Sequence, residues 1–261
     1  MTWSRIPAAA RYAILVVAVL VIWQAYVVIG HVKPLLVASP IDVGTAVAED
    51  LRSGLLLRTT AATLQNLLLG VLIGAFAGFV LASFAVFSKV GHDLLTVLSA
   101  IFNPLPSIAI LPLAMIWFGL KPESIIFVVA LASIWPVAIN TDMGFRTISN
   151  TTQLAARNLG LRGWRLVTGV LLPAALPSII TGMKASWAFG WRTVVAAELV
   201  FGVAGSAGGL GWYINDARYQ LRTPNIFAGL VVISVLGILV ESVFGIVERN
   251  TVVRWGMKRA G

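Results

Sequence analysis

The chain has 261 residues, 59% of them hydrophobic and only 11% charged, with a net charge of +9. A soluble domain of this length carries roughly 25% charged residues, so a mean hydropathy of +0.93 excludes an ordinary soluble protein and points to a bilayer as solvent. The absence of cysteine excludes a disulfide framework and thiolate metal sites, and the excess Lys and Arg is expected in loops that orient the spans, not on a nucleic-acid-binding face.

Residues 12–29 carry no charge and predict a first span, since a crossing helix needs about 20 apolar residues. Arg5 and Arg11 precede it as in a signal peptide, but no small-residue cleavage site follows, so the span is read as retained. Ser39-Pro40-Ile41-Asp42 then opens a segment, 43–57, in which polar and apolar residues mix at helical spacing. A short helix near the outer membrane surface is expected there, with a loose connector as the alternative.

Residues 61–87 predict the second span, in which Gly70, Gly74 and Gly78 recur at every fourth position. On a helix they form one smooth stripe that lets another backbone come close. Residues 94–120 predict the third, broken by Pro104, Pro106 and Pro112. Backbone groups freed by such breaks must be covered by protein or a water-filled cavity, so this span is expected inside the bundle. The fourth span is 124–141. The fifth, 177–200, carries Lys184, Arg192 and Glu198, and the sixth, 226–247, carries Glu241.

Six spans put both termini on one side. With that side inside, the inner segments hold Arg5, Arg11, Lys89, Arg146, Arg157, Arg162, Arg165, Arg249, Arg254, Lys258 and Arg259. The outer segments hold only Lys33, Arg52, Arg58, Lys121, Arg218 and Arg222, so the bias orients both termini to the cytoplasm. It also places segment 146–172 there.

Charges at bilayer depth are costly and face a cavity or one another. Arg192 and Glu198 are six apart and lie on different faces of a helix, so each needs a partner elsewhere. Arg192 either forms a salt bridge to a carboxylate on another span or outer loop, the preferred reading, or offers a fixed positive charge to an anion in a pathway. Lys184 is expected to snorkel to the cytoplasmic end. Asp142 and Glu241 are expected to contact loop arginines.

The chain shows no Gly-rich loop followed by Lys-Ser or Lys-Thr, hence no phosphate cradle. The glycine-rich run 202–211 lacks the Lys and falls on the outer side, where a flexible gate or re-entrant turn is the better reading. His31 and His92 are far apart with no third ligand, so no metal site is expected, and no nucleophile–base pair stands out. The protein therefore borrows energy or moves a solute down a gradient. A transporter or channel working alone remains an alternative, although no inverted duplication of halves is visible. A membrane-embedded enzyme acting on lipid is the other.

Segment 154–173 resembles the coupling motif of binding-protein-dependent ABC transporter permeases: Glu-Ala-Ala, three residues, Gly, nine residues, Ile, one residue, Leu-Pro. Ala155, Ala156, Gly160, Leu172 and Pro173 match, Val170 stands for Ile, and Leu154 replaces Glu, with Arg157 available for a different charged contact. Further pieces resemble the nitrate/sulfonate/taurine-type permeases, which include bicarbonate and pyrimidine-precursor members. They are Ser39-Pro40, Asn103-Pro104-Leu105-Pro106, Leu111-Pro112, Trp117-Phe118-Gly119-Leu120, Leu172-Pro173-Ala174-Ala175-Leu176-Pro177, Ala196-Ala197-Glu198 and Glu248-Arg249. The likeness runs over about residues 36–250.

The resemblance implies an all-α, polytopic membrane protein with six transmembrane helices, of the type I (MetI-like) ABC importer fold. It implies a non-catalytic permease subunit of the bacterial inner membrane that moves a small solute, such as nitrate, a sulfonate, taurine or bicarbonate, into the cytoplasm. Two permease chains, expected to be copies of one another, would form the pathway. Two ATPase subunits, which bind the ATP and Mg, would grip a short helix around 150–163, and a solute-binding protein would dock outside. The coupling residues would be Leu154, Ala155, Ala156, Arg157, Gly160, Leu172 and Pro173, and the pathway candidates Asn103, Arg192 and Glu198. The resulting organisation is an N-terminal span (1–30), an outer connector with a short helix (31–60), a core of five spans (61–250) containing the coupling segment 146–172, and a cytoplasmic tail (251–261).

Overall fold

The structure, a computed structural model, describes residues 7–201, 208–248 and 250–251. Arg5, the first part of the glycine-rich run (202–207), Arg249 and the tail beyond Thr251 lie outside the described residues. The regular structure of the described residues is all helical, eleven α-helices and two short turns of other pitch, with no strand.

The first span is α1 (Ala8–Ile29), apolar all round and largely exposed, as a helix in lipid should be. Helix α2 (Pro40–Arg52) is the short helix expected in the connector. It starts where it does because Ser39 and Asp42 form a reciprocal cap: Ser39 Oγ accepts from the Asp42 N–H at 3.2 Å, while the Asp42 carboxylate accepts from the Ser39 N–H at 3.3 Å. Helix α3 (Leu55–Phe87) begins immediately after a turn at Gly54, whose φ is +76°. Residues 55–60, assigned to the connector from sequence, therefore belong to the second span. Three polar residues, Arg58, Thr59 and Thr60, hid the helix start from a reading based on hydropathy.

The third span is two pieces. Helix α4 (Lys89–Phe102) stops at Asn103, and the chain resumes as a tight turn (Ser107–Ile110) and α5 (Leu111–Phe118) at 84° to α4. Pro104 and Pro106 make this break. Pro112 does not, because it sits at the second position of α5, where no intrahelical N–H is required. The expected burial of this span is also incomplete: Leu95, Leu111 and Ala114 are buried, but Ile101, Ile116 and Trp117 are more than half exposed.

Helix α6 (Pro122–Arg146) is the centre of the bundle and the most buried span. Its neighbours are α3 on one side and α9 (Leu172–Phe201) on the other. The stripe of Gly70, Gly74 and Gly78 does what its spacing predicted. A Cβ on Gly70 would come within 2.5 Å of Val129 Cγ1, one on Gly74 would meet the Ala130 carbonyl, and one on Gly78 would lie 2.7 Å from the Ile134 carbonyl oxygen. Between α6 and α9 lie α7 (Asn150–Asn158), a single turn α8 (Gly163–Leu166) and a wide turn (Val167–Leu171) that leads into α9. Helices α10 (Leu210–Tyr219) and α11 (Thr223–Glu248) complete the chain. Helix α7 thus lies at one end of the bundle and α2 and α10 at the other.

Two polar clusters tie the ends. At the α7 end Arg146 Nε bonds Asp142 at 2.8 Å and its Nη2 donates to the Ala85 carbonyl at 3.0 Å, with His92 Nδ1 3.4 Å from the same carboxylate. Asp142 therefore meets an arginine at the loop junction, as expected. At the α10 end Tyr213, buried, donates to Asp50 Oδ2, and Asn225 Nδ2 donates to that oxygen at 2.8 Å, so α2, α10 and α11 are joined through one carboxylate.

Candidate functional site

The coupling segment is built from α7 outward. Ser149 caps α7, its Oγ accepting from the Thr152 N–H at 3.2 Å. The helix ends in a left-handed turn. Gly160 has φ +80°, its N–H donates to the Arg157 carbonyl at 3.0 Å, and the Leu161 N–H donates to the Ala156 carbonyl at 3.1 Å. These two bonds satisfy carbonyls at the helix end, and a residue with a Cβ rarely adopts this conformation. Around a Cβ at Gly160 there is open space, so it is the backbone and not packing that calls for glycine.

The turn presents an apolar surface to its surroundings. Leu154 is 59%, Leu159 82% and Trp164 76% exposed, beside exposed Ala155 and Arg157, while Ala156 is buried. Leu172 and Pro173 lie at the start of α9 and are partly exposed. Sequence reasoning marked Leu154 among the coupling candidates, although it departs from the motif, and did not mark Leu159 on its own or Trp164. Their exposure together makes a contiguous apolar patch of the kind that partners cover.

Mid-span, the break between α4 and α5 opens a cleft of about 330 Å³ lined by Asn103, Pro104, Ser107, Trp135, Arg192 and Thr193, among others. The stacked rings of Phe102 and Trp135, 5.5 Å apart, form one wall. Arg192 is exposed to this cleft, about 14 Å along α9 from Phe201. The salt bridge preferred for it from sequence is absent: among the described residues Arg192 makes no ion pair or hydrogen bond. Asn103 and Arg192 are thus brought together, and Glu198 is not.

Glu198 is 2% exposed and lies against α3 and α10. Its Oε2 accepts from Thr63 Oγ1 at 2.8 Å and from the Gly211 N–H at 3.1 Å, and Thr63 Oγ1 accepts in turn from the Leu210 N–H at 2.7 Å. The partner expected for Glu198 is therefore the N-terminus of α10 and a hydroxyl of α3, not a cation. A carboxyl group there accepts from a helix N–H that would otherwise be orphaned. Glycine is needed around it, since a Cβ on Gly209 would overlap the carboxylate. Part of the glycine-rich run is thereby accounted for as packing. Thr63 gave no signal in the sequence, being one hydroxyl in an apolar span.

Lys184 Nζ lies 3.0 Å from Glu241 Oε1, so among the described residues Glu241 pairs with this lysine and not with a loop arginine. Among the described residues no group of three or more His, Cys, Asp or Glu is placed to hold a metal ion.

A bundle with a broken helix beside an arginine that has no partner among the described residues, and an apolar knuckle at one end, suits a membrane transport subunit. Residues 70–253 match the family described as binding-protein-dependent transport system inner membrane component, and the chain belongs to that family. It is a permease, a non-catalytic membrane subunit that works with a solute-binding protein and ATPase subunits. It is 32% identical over 237 residues to the putative aliphatic sulfonates transport permease protein SsuC of Bacillus subtilis, a match covering 91% of this chain and 84% of that one. It is 29% identical to the taurine transport system permease protein TauC of Escherichia coli (85% and 81% covered) and 30% identical to the nitrate import permease protein NrtB of Leptolyngbya laminosa (74% and 67%). The inward-facing MetNI methionine ABC transporter shares the fold, with a TM-score of 0.55 at 19% identity over 75% of this chain and 94% of that one.

Proposed function

We propose that this permease imports a small oxyanion, of the class that includes nitrate, sulfonates such as taurine, and bicarbonate, and that Arg192 is its first fixed contact inside the membrane. The observation that carries this reading is the unpaired, exposed guanidinium in the cleft at the α4–α5 break. An arginine at bilayer depth is tolerated where water or a counter-charge reaches it. Its planar fork of donors matches a planar or trigonal oxyanion two bonds at a time. Asn103 and Ser107 add neutral polar groups to the same cleft. The names of the relatives, which speak of sulfonates, taurine and nitrate, agree with an anion.

In this reading both termini are cytoplasmic, as the positive charge of the α7-end segments supports. Two copies of the chain face each other so that their clefts enclose one path. Each copy's α7 surface, Leu154, Ala155, Arg157 and Gly160 with Leu172 and Pro173 behind it, seats in an ATPase subunit, and ATP and Mg are bound there. ATPase closure pushes α7, and α9, joined to it through α8 and the wide turn, carries the displacement to Arg192. Glu198 acts at the far end as the tie that makes α9, α3 and α10 move together.

The test is uptake by the complete transporter in proteoliposomes, with labelled nitrate, taurine, bicarbonate and a neutral solute of similar size. Uptake of one anion class and not of the neutral solute is expected. R192Q should reduce that uptake at least tenfold without lowering the melting temperature of the complex. Unchanged uptake kinetics in R192Q would remove Arg192 from the path.

A further inference from the structure

Lys184 and Glu241 lie inside their spans and have no part in the pathway as drawn so far. Their ion pair joins α9 to α11 but is not sealed: the two side chains are 41% and 71% exposed. Both open into a second cleft, of about 350 Å³, between α9 and α11. Arg192 lines this cleft as well as the one at the helix break, so the two share a wall. Along that wall Lys184, Ala188 and Arg192 follow at one-turn intervals, which sets the two cations about 12 Å apart along the helix. From α11, Ser234 and Gly237 face them; a Cβ on Gly237 would lie 3.6 Å from Trp191 Nε1. Charges inside an apolar span are tolerated where they face water or one another. Glu241 holds on Lys184 the place that an anion released by Arg192 would take.

We propose that Lys184 is a second anion station on the α9 wall, with Glu241 as its resident counter-ion, so that an oxyanion passing from Arg192 displaces Glu241 from Lys184 and is released when Glu241 returns. This rests on the reading of Arg192 as an anion contact. The exchange leaves the charge balance at Lys184 unchanged, because one carboxylate is replaced by one anion. A bare lysine would hold the solute; a lysine with a competitor lets it go, which a conducting path requires.

The chain contains no cysteine, so A188C places a single thiol between the two cations. In vesicles carrying the full chain with its partner subunits, the A188C thiol is modified in parallel with a sulfonate-bearing and a trimethylammonium-bearing methanethiosulfonate, and the ratio of the two rates is measured. The sulfonate reagent should react faster. Adding K184Q should lower the ratio several-fold, E241Q should raise it several-fold, and R192Q should lower it. An effect of R192Q without any effect of K184Q and E241Q overturns the second station and leaves the Arg192 reading standing. Effects of K184Q and E241Q without one of R192Q overturn the Arg192 reading and the hand-over with it, while leaving an anion site at Lys184. A thiol that reacts with neither reagent means a lipid-covered cleft and overturns the station. Assembly of each variant is checked by co-purification with the ATPase subunit. Should E241Q fail to assemble, the charge reversal K184E/E241K keeps the pair and must turn the preference toward the cationic reagent; an unturned preference overturns the proposal.

Discussion

Tyr213 shows how a single hydroxyl can organise one end of this molecule. It is buried beneath α2 and α11, and it donates to Asp50 while Asn225 donates to the same carboxylate oxygen. Burial first, and the Asp50 hydrogen bond second, push the phenol above its ordinary value near 10. A raised folded-state value means that the protonated phenol's contribution is complete below about pH 10 and is lost as pH rises beyond that. Melting of the purified protein between pH 7 and 11 should therefore fall above pH 10, and Y213F should show a flatter profile. Y213F should also lose about 2 kcal/mol at neutral pH, since a hydrogen bond to a charged group contributes roughly 1.5–3 kcal/mol. None of the three residues was singled out from sequence, because they lie 163 and 12 positions apart and carry no motif. Arg192 was visible as a charge in an apolar span, yet its preferred partner was wrong, because only packing shows which carboxylates come near.

At the scale of elements, two glycine features make opposite demands. Gly74 faces the backbone of α6, so G74V must push two spans apart and should cost about 1–3 kcal/mol or more, read as a lowered melting temperature. Gly160 faces open space, so G160D should leave insertion and melting nearly unchanged. What G160D strains is the left-handed turn that ends α7, by about 1–2 kcal/mol in that turn alone. The expected outcome is ATP hydrolysis that no longer drives uptake; uptake at the wild-type rate would count against α7 as the lever. Both glycines were legible in sequence, one by its four-residue period and one by its place in a motif. The break at Asn103–Pro106 was legible through its prolines, but not its 84° bend or the cleft it opens. Proline removes a backbone donor; it does not say where the freed chain will point.

For the whole molecule, the exposed apolar knuckle at α7, with Leu154, Leu159 and Trp164 uncovered, describes a subunit that works with partners. The expected outcome of mass measurement on the gently solubilised complex is two copies of this chain with two ATPase subunits. L159D, placing a charge at the most exposed leucine of the knuckle, should release the ATPase subunits while the two permease copies stay together. Retention of the ATPase in L159D would move the coupling surface elsewhere.

Sequence by itself determined that the chain suits a bilayer, where its apolar helices run and which glycines recur at helical spacing. These follow from local quantities, namely hydropathy, period and turn chemistry, that each segment carries alone. Only the tertiary structure decided the partners of the ionisable groups in the spans: Glu198 against Thr63 and the start of α10, Lys184 against Glu241, and Arg192 against nothing among the described residues. An ion pair in an apolar bundle is a property of two surfaces brought together, and a carboxylate's neighbours are chosen by helix rotation, which a pattern of uniformly apolar residues does not specify.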